Sequence, residues 1–289
     1  MASAPEYGGL PRTIEAMARP APPLLDKLDI IRRTVAAFNA GHGAQARSLC
    51  EGGLKTWPQD PALNHLLAAI RFAAGEQQGA AAAIETALAA GANGAAVHLL
   101  AARILAASQP ALALRHFEQA IAAAPSPEAL TEYARLLTAS GAATAAAAWR
   151  AVLKSAPGSN EAKARLGRLL WEAGEFAEAA RLLEEAAASE APATLWFDLA
   201  LVRQDLKDRT GAIAAYRRAL ERRPDLAEAS VNLGILLQDG ADMDAAWAAY
   251  CSAYRAKPST FGMIATALTS APHGRLWLDR EALRRALAG

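Results

Sequence analysis

The apolar positions of this chain follow a helical period almost from end to end. From Leu24 onward hydrophobic residues recur at i, i+3, i+4 and i+7, as in Leu195, Phe197, Leu199 and Leu201 with Val202, or in Val231, Leu233, Leu236 and Leu237. That spacing puts them on one face of an α-helix. Alternating Val/Ile/Thr runs, the mark of half-buried strands, are missing, so the pattern predicts an all-α chain.

A slower rhythm lies over the helical one. A small residue stands at Thr34, Ala68, Ala101, Ala134, Gly167, Ala200 and Gly234, a spacing of 33 or 34. An alanine column follows at Ala46, Ala80, Ala113, Ala145, Ala179, Ala212 and Ala246, then a bulky column at Cys50, Ile84, Phe117, Trp149, Leu183, Tyr216 and Tyr250. A break closes each unit, at Pro58, Ala92, Pro125, Pro157, Pro192, Pro224 and Pro258. Glycines Gly41, Gly75, Gly141, Gly174 and Gly240 fall between the two helices of a unit, where a helix end needs a positive φ. A fixed period in this range marks a solenoid, whose usual product is a binding surface.

The unit carrying Trp196, Leu199, Ala200, Ala212, Tyr216, Ala219 and Pro224 resembles the tetratricopeptide repeat (TPR), as does the next, through Leu233, Gly234, Leu237, Ala246, Tyr250, Ala253 and Pro258. The resemblance spans residues 27–260 and about seven repeats. Departures are Arg33 and Thr34 in the first unit, Ala92 for proline in the second, and a residue lost between Ser140 and Ala145 in the fourth. The fifth has Lys163 in an apolar column and an extra residue near Ala191. The resemblance implies a right-handed superhelical solenoid of antiparallel helix pairs. Around it, residues 1–23 hold five prolines (Pro5, Pro11, Pro20, Pro22 and Pro23) and read as a disordered tail, whereas 261–289 read as capping helices with Asp279 as an N-cap.

Charge and motifs exclude more than they suggest. Thirty basic and 29 acidic residues leave a net charge of +1, so no global field favours nucleic acid. No run reaches 18 apolar residues, and the N-terminus lacks a basic segment followed by an apolar core, so neither membrane insertion nor secretion is expected and the cytoplasm is the default. Abundant alanine, with arginine preferred over lysine, suggests a bacterial coding sequence. Cys50 and Cys251 sit near the same column of the first and last repeats, too far apart for a disulfide. Loops that bind nucleotides, nucleophile elbows and zinc-protease helices are missing, so no enzyme, cofactor or metal is predicted. His65 and His98 occupy one repeat position and read as groove residues rather than metal ligands.

Recognition is the remaining chemistry. If the first helix of each unit lines the concave side, the groove presents His65, Phe72, His98, Arg135, Arg165, Arg168, Trp171, Phe197, Gln204, Asn232 and Gln238, with Asp198 and Asp205 beside them. The run Arg135, Arg165, Arg168 and Trp171 would grip an acidic or C-terminal segment of a partner protein or peptide. The competing account pairs these arginines with Glu132, Glu161 or Glu172 on their own surface. The functional expectation is a non-catalytic interaction scaffold or adaptor. The alternative is an accessory subunit that presents substrates to a modifying enzyme such as a glycosyltransferase or sulfotransferase. Self-association through Trp277 and the last helix stays open beside both.

Overall fold

A computed structural model describes residues 24–187, 190–270 and 279–289, which carry α-helices and no strand. Seven helix pairs follow one another: α1 (Leu24–Asn39) and α2 (Gly43–Thr56), α3 (Pro61–Ala73) and α4 (Gln77–Ala89), α5 (Ala95–Leu105) and α6 (Pro110–Ala123), α7 (Pro127–Ala139) and α8 (Ala145–Ser155), α9 (Asn160–Glu172) and α10 (Phe176–Ala186), α11 (Ala193–Asp205) and α12 (Arg209–Arg222), α13 (Ala227–Asp239) and α14 (Met243–Ala256). A 3-10 turn, Pro258–Thr260, leads into α15 (Phe261–Ser270), and α16 (Arg280–Ala288) ends the chain. The proline-rich stretch 1–23 and Trp277 lie outside the described residues. Two compact units divide after Ala124. In the first, α1 packs on α2, α3 on α4 and α5 on α6, and each second helix meets the next first helix; the second unit repeats this from α7 to α14 and lays α16 on α14.

The periodic columns are the contact surfaces of these pairs. No residue of the alanine or bulky columns is more than 2% exposed. The small column allows the two backbones to approach: a Cβ on Gly234 would stand 2.5 Å from Tyr250 Cε1 and one on Gly167 2.9 Å from Leu183 Cγ. Thr34, in the same column, is fully buried, and its hydroxyl finds no partner among the described residues. Six helix starts among the described residues carry side-chain caps: Asp60, Ser126, Ser159, Asp208, Asp242 and Asp279 each accept a backbone N–H of the first turn.

The turns inside the pairs use one hydrogen-bond pattern with different residues. At Gly75, with φ +77°, the Glu76 N–H donates to the Arg71 carbonyl at 2.9 Å. The same closure runs from Asp208 to Arg203 at 2.9 Å and from Asp242 to Leu237 at 3.0 Å. Gly240, expected at the left-handed position, has φ −87°; the left-handed residue is Ala241 at φ 61°, and in the preceding repeat Lys207 at φ 63°. One residue in register separates Gly240 from the place where the closing bond requires the positive φ, so a side-chain-bearing residue bears the strain.

One start is anomalous. Six second helices begin three residues before their column alanine, whereas α8 begins on it, at Ala145. The residue lost from the fourth repeat has removed the first turn of that helix.

Three aromatic residues of the bulky column end in an N–H or O–H, and each finds a partner on the first helix of its own pair. Trp149 Nε1–H donates to Thr138 Oγ1 at 2.8 Å, Tyr250 O–H to Gln238 Oε1 at 2.8 Å, and Tyr216 O–H to Gln204 Oε1. The acceptor stands four residues after the small column each time; where the bulky residue is Ile84, Phe117 or Leu183 that place holds Phe72, Leu105 or Trp171. Gln238 is therefore not a groove residue: it is fully buried and also donates to the Ala267 carbonyl at 3.1 Å. Gln204 is likewise committed inward, and Asn232 Nδ2 donates to the Tyr216 hydroxyl at 3.1 Å. Buried polar tips need partners, which overrides the exposure that repeat position alone would assign.

In the first unit His98 and His116 stack with centroids 5.3 Å apart and Nδ1 atoms at 3.1 Å, while His98 Nε2 lies 2.9 Å from Asn93 Oδ1. With Asn93 accepting, His98 carries its proton on Nε2 and accepts from His116 through Nδ1. Burial, with the neighbouring His98, holds His116 below its ordinary pKa, and burial alone does the same to His65.

Three outcomes follow. Ala241→Gly should raise the thermal midpoint, because the left-handed backbone costs an L-residue about 1–2 kcal/mol, offset in part by the greater freedom of glycine when unfolded. Gln238→Leu should lower stability by about 1–3 kcal/mol through the orphaned Tyr250 hydroxyl, and adding Tyr250→Phe should recover much of it in a denaturation cycle. Since His65 and His116 take protons more readily when unfolded, stability should be full above about pH 6.5 and fall as pH drops below it. The midpoint should be lower at pH 5.5 than at 7.5, and His116→Asn should shrink that difference.

Candidate functional site

The predicted arginine run lies on the first helices of the second unit, and the structure joins it into a ladder. Arg135 on α7 grips Glu161 on α9 with both ends of its fork, Nε to Oε1 at 2.7 Å and Nη2 to Oε2 at 2.5 Å. Arg168 on α9 reaches Asp198 on α11 through Nη1 at 2.7 Å and Glu172 on its own helix through Nε at 3.3 Å. Its guanidinium sits 5.7 Å from the centre of the Trp171 ring. Trp171 in turn donates its indole N–H to Asp205 Oδ2 at 2.6 Å. Pairing with Glu161 and Glu172 was one of the two sequence expectations; the bonds to Asp198 and Asp205, 30 and 34 residues away, were not.

Electrostatics divide the carboxylates. The Arg135 fork holds Glu161 below the usual carboxylate range, whereas burial lifts Asp198 above its ordinary value although Arg168 opposes the shift. Arg165, one turn before Arg168 and on the same face, is exposed and makes no hydrogen bond or ion pair among the described residues. It borders a cleft of about 540 Å³ between α9 and the turn that precedes α8. Ala142, Ala143, Ala146 and Leu169 form its apolar lining, and Arg165, Arg168 and Glu172 its polar rim.

The remaining predicted residues do not join this cluster. His65, Phe72 and His98 belong to the first unit and are half-buried. Phe197 is half-buried with its ring edge-on to Tyr216 at 5.7 Å, and Gln204, Asn232 and Gln238 serve the tyrosines. Both cysteines are free. Cys50 donates its thiol to the Leu63 carbonyl at 3.1 Å, and burial pushes its pKa up to about 11, so it is a packing group. Among the described residues no three His, Cys, Asp or Glu side chains gather as a metal would require, and no helix is long and apolar enough to cross a membrane.

Comparison with known proteins agrees with the helix pairs. The tetratricopeptide repeat model matches residues 100–149, 135–194 and 197–259, together more than half of the chain. Among proteins of curated function none matches. Among solved structures, MamA (residue 41 to the end) from Desulfovibrio magneticus RS-1 is 23% identical, covers 57% of this chain and 96% of its own, and has a TM-score of 0.52. PilF from Pseudomonas aeruginosa is 16% identical over 68% of this chain and 92% of its own, with a TM-score of 0.53. A tetratricopeptide repeat protein from Parabacteroides merdae is 15% identical, covers 85% of this chain and all of its own, and has a TM-score of 0.51. At such identities the likeness concerns the fold. With the repeat model matched over most of the second unit and part of the first, and with the small, alanine and bulky columns all buried in paired helices, the chain belongs to the tetratricopeptide repeat family.

Proposed function

We propose that this protein is a non-catalytic scaffold whose second unit holds an acidic segment of a partner protein along the face of α7, α9 and α11. One observation carries the assignment: Arg165 is an exposed cation with no hydrogen bond or ion pair among the described residues, acting on Glu161 and Asp198 only at longer range, set among Arg135, Arg168 and Trp171 and beside an open cleft. The neighbouring arginines are already neutralised by Glu161, Asp198 and Glu172. An incoming carboxylate therefore meets one guanidinium that no side chain contacts directly, with a half-buried indole next to it for apolar contact. Exposed ion pairs hold by about 0–1 kcal/mol, so the ladder can open to a partner at small cost.

On the same reading residues 24–260 form the repeat array and 261–289 cap it. Two features support the cap: Leu283 and Leu287 of α16 are buried on the α14 side, and Gln238 of α13 is tied to α15. The polar side of α16 is left outward, where Arg284 stands 4.6 Å from the Phe261 ring. Cytoplasmic placement belongs to this proposal too.

Affinity purification from the native lysate, with quantitative mass spectrometry, tests the assignment. Arg165→Glu removes no internal bond, so it should leave the thermal midpoint nearly unchanged and cut recovery of the wild-type partners by about tenfold or more, while Arg165→Lys keeps part of it. Unchanged recovery with Arg165→Glu would discard the arginine face as the binding surface.

A further inference from the structure

Three residues before the column alanine, two second helices open on a residue that reaches the next repeat. In the second repeat this is Gln77, whose Nε2 donates to the Ile104 carbonyl in the last turn of α5. In the sixth it is Arg209, whose Nε donates to the Leu236 carbonyl in the last turn of α13 at 3.0 Å. Each reaches across the gap between repeats and closes it with a long side chain whose polar end lands on the neighbouring first helix. The corresponding residues of the first and fourth repeats are Gly43 and Ala142. Both border open clefts, of about 510 Å³ in the first repeat and about 540 Å³ in the fourth. In the fourth, α8 lacks the turn that would carry such a side chain.

We propose that the fourth-repeat cleft is a socket for a glutamate side chain supplied by the partner segment. The proposal rests on the binding face assigned above and adds where its anchor residue enters. The plugs of the sister repeats define what fits: an apolar stem of two methylenes in Gln77 or three in Arg209, with a polar head at the rim of the next first helix. Here the floor is alanine and Leu169, and the rim carries Arg165 and Arg168 together with Glu172, whose charge Arg168 engages. A head meeting two guanidiniums is a carboxylate rather than an amide or a cation. Arg168 already serves Asp198 and Glu172, so Arg165 takes the incoming charge. Glutamate has the stem to span floor and rim, whereas aspartate is one carbon shorter. The first-repeat cleft, bordered by Phe38, Ile70 and an Arg47 engaged by Glu76 and Glu51, offers no free cation and is not selective for an acid.

The test is selection of a random dodecapeptide library displayed at the amino end of a phage coat protein, so that no peptide has a free C-terminus. The full chain, Ala146→Phe, Ala142→Gln and Trp171→Ala serve as baits. Ala146→Phe fills the cleft from α8, and Ala142→Gln copies the Gln77 plug; neither touches the arginines. Clones selected on the wild type should contain glutamate well above aspartate. Synthetic peptides from them should bind at least tenfold more weakly to the plugged variant that retains the wild-type thermal midpoint, and glutamate to glutamine in the peptide should cost about as much. Clones that lack glutamate enrichment, or that bind the plugged variants unchanged, overturn the socket. If those clones still weaken on Trp171→Ala, the binding face survives without the socket. If no clone is selected, or only a library with free C-termini yields binders, the socket falls, and in the former case the face falls with it.

Discussion

Every repeat depends on a steric constraint: two helices cross so closely that one side of the contact can carry almost no side chain. The small column supplies that side and the bulky column fills the space opposite it. At Gly234 the separation is so short that even a methyl group would meet the Tyr250 ring. The consequence propagates, because a crossing fixed at this depth sets which residues of the first helix face inward. It places the residue four positions after the small one over the tip of the bulky one. Thr138, Gln204 and Gln238 thereby become the acceptors for Trp149, Tyr216 and Tyr250. Packing and polar satisfaction are one arrangement rather than two.

The same constraint explains how much could be read from the sequence. Helix pairs, column burial, the Asp279 cap and the residue lost from the fourth repeat are local and periodic, and a period shows in a single chain. Gln238 was legible in principle. A polar residue at that place accompanies each aromatic of the bulky column that ends in N–H or O–H, and an apolar or aromatic one accompanies the others. Gly240 misled because glycine is the commonest left-handed residue, and here Ala241 occupies the strained position instead. Which acid an arginine chooses was only half legible. Glu161 and Glu172 were foreseen, but Asp198 and Asp205 stand one repeat on, and their reach depends on the stagger between neighbouring first helices. The stacking of His98 on His116 lies 18 residues apart and follows no column at all.

The charge ladder is a weak contributor to stability and a strong one to orientation. Each rung joins side chains that are partly in water, where an ion pair contributes about 0–1 kcal/mol. What the rungs do is hold Arg168 beside Trp171 and keep Asp198 occupied, although its burial disfavours the charged form. A surface whose cations are mostly satisfied does not attract acids indiscriminately. Selectivity then concentrates at the one arginine left without a partner, and geometry rather than net charge decides what binds there.

Repetition also gives a departure from the pattern its meaning. In an irregular fold a missing residue in a turn would be one variation among many. Here six second helices start in the same register and α8 does not, so the lost turn can be measured against its own siblings. Two of them show what that turn can do: in α4 and α12 it carries the side chain, Gln77 or Arg209, that bridges to the next repeat. Removing it exposes small side chains and leaves a void beside Arg165, a combination that sequence drift toward tighter packing would close with a single longer side chain at position 142. An opening next to the one arginine of the ladder that makes no direct bond among the described residues has the form of a place held for another molecule's side chain.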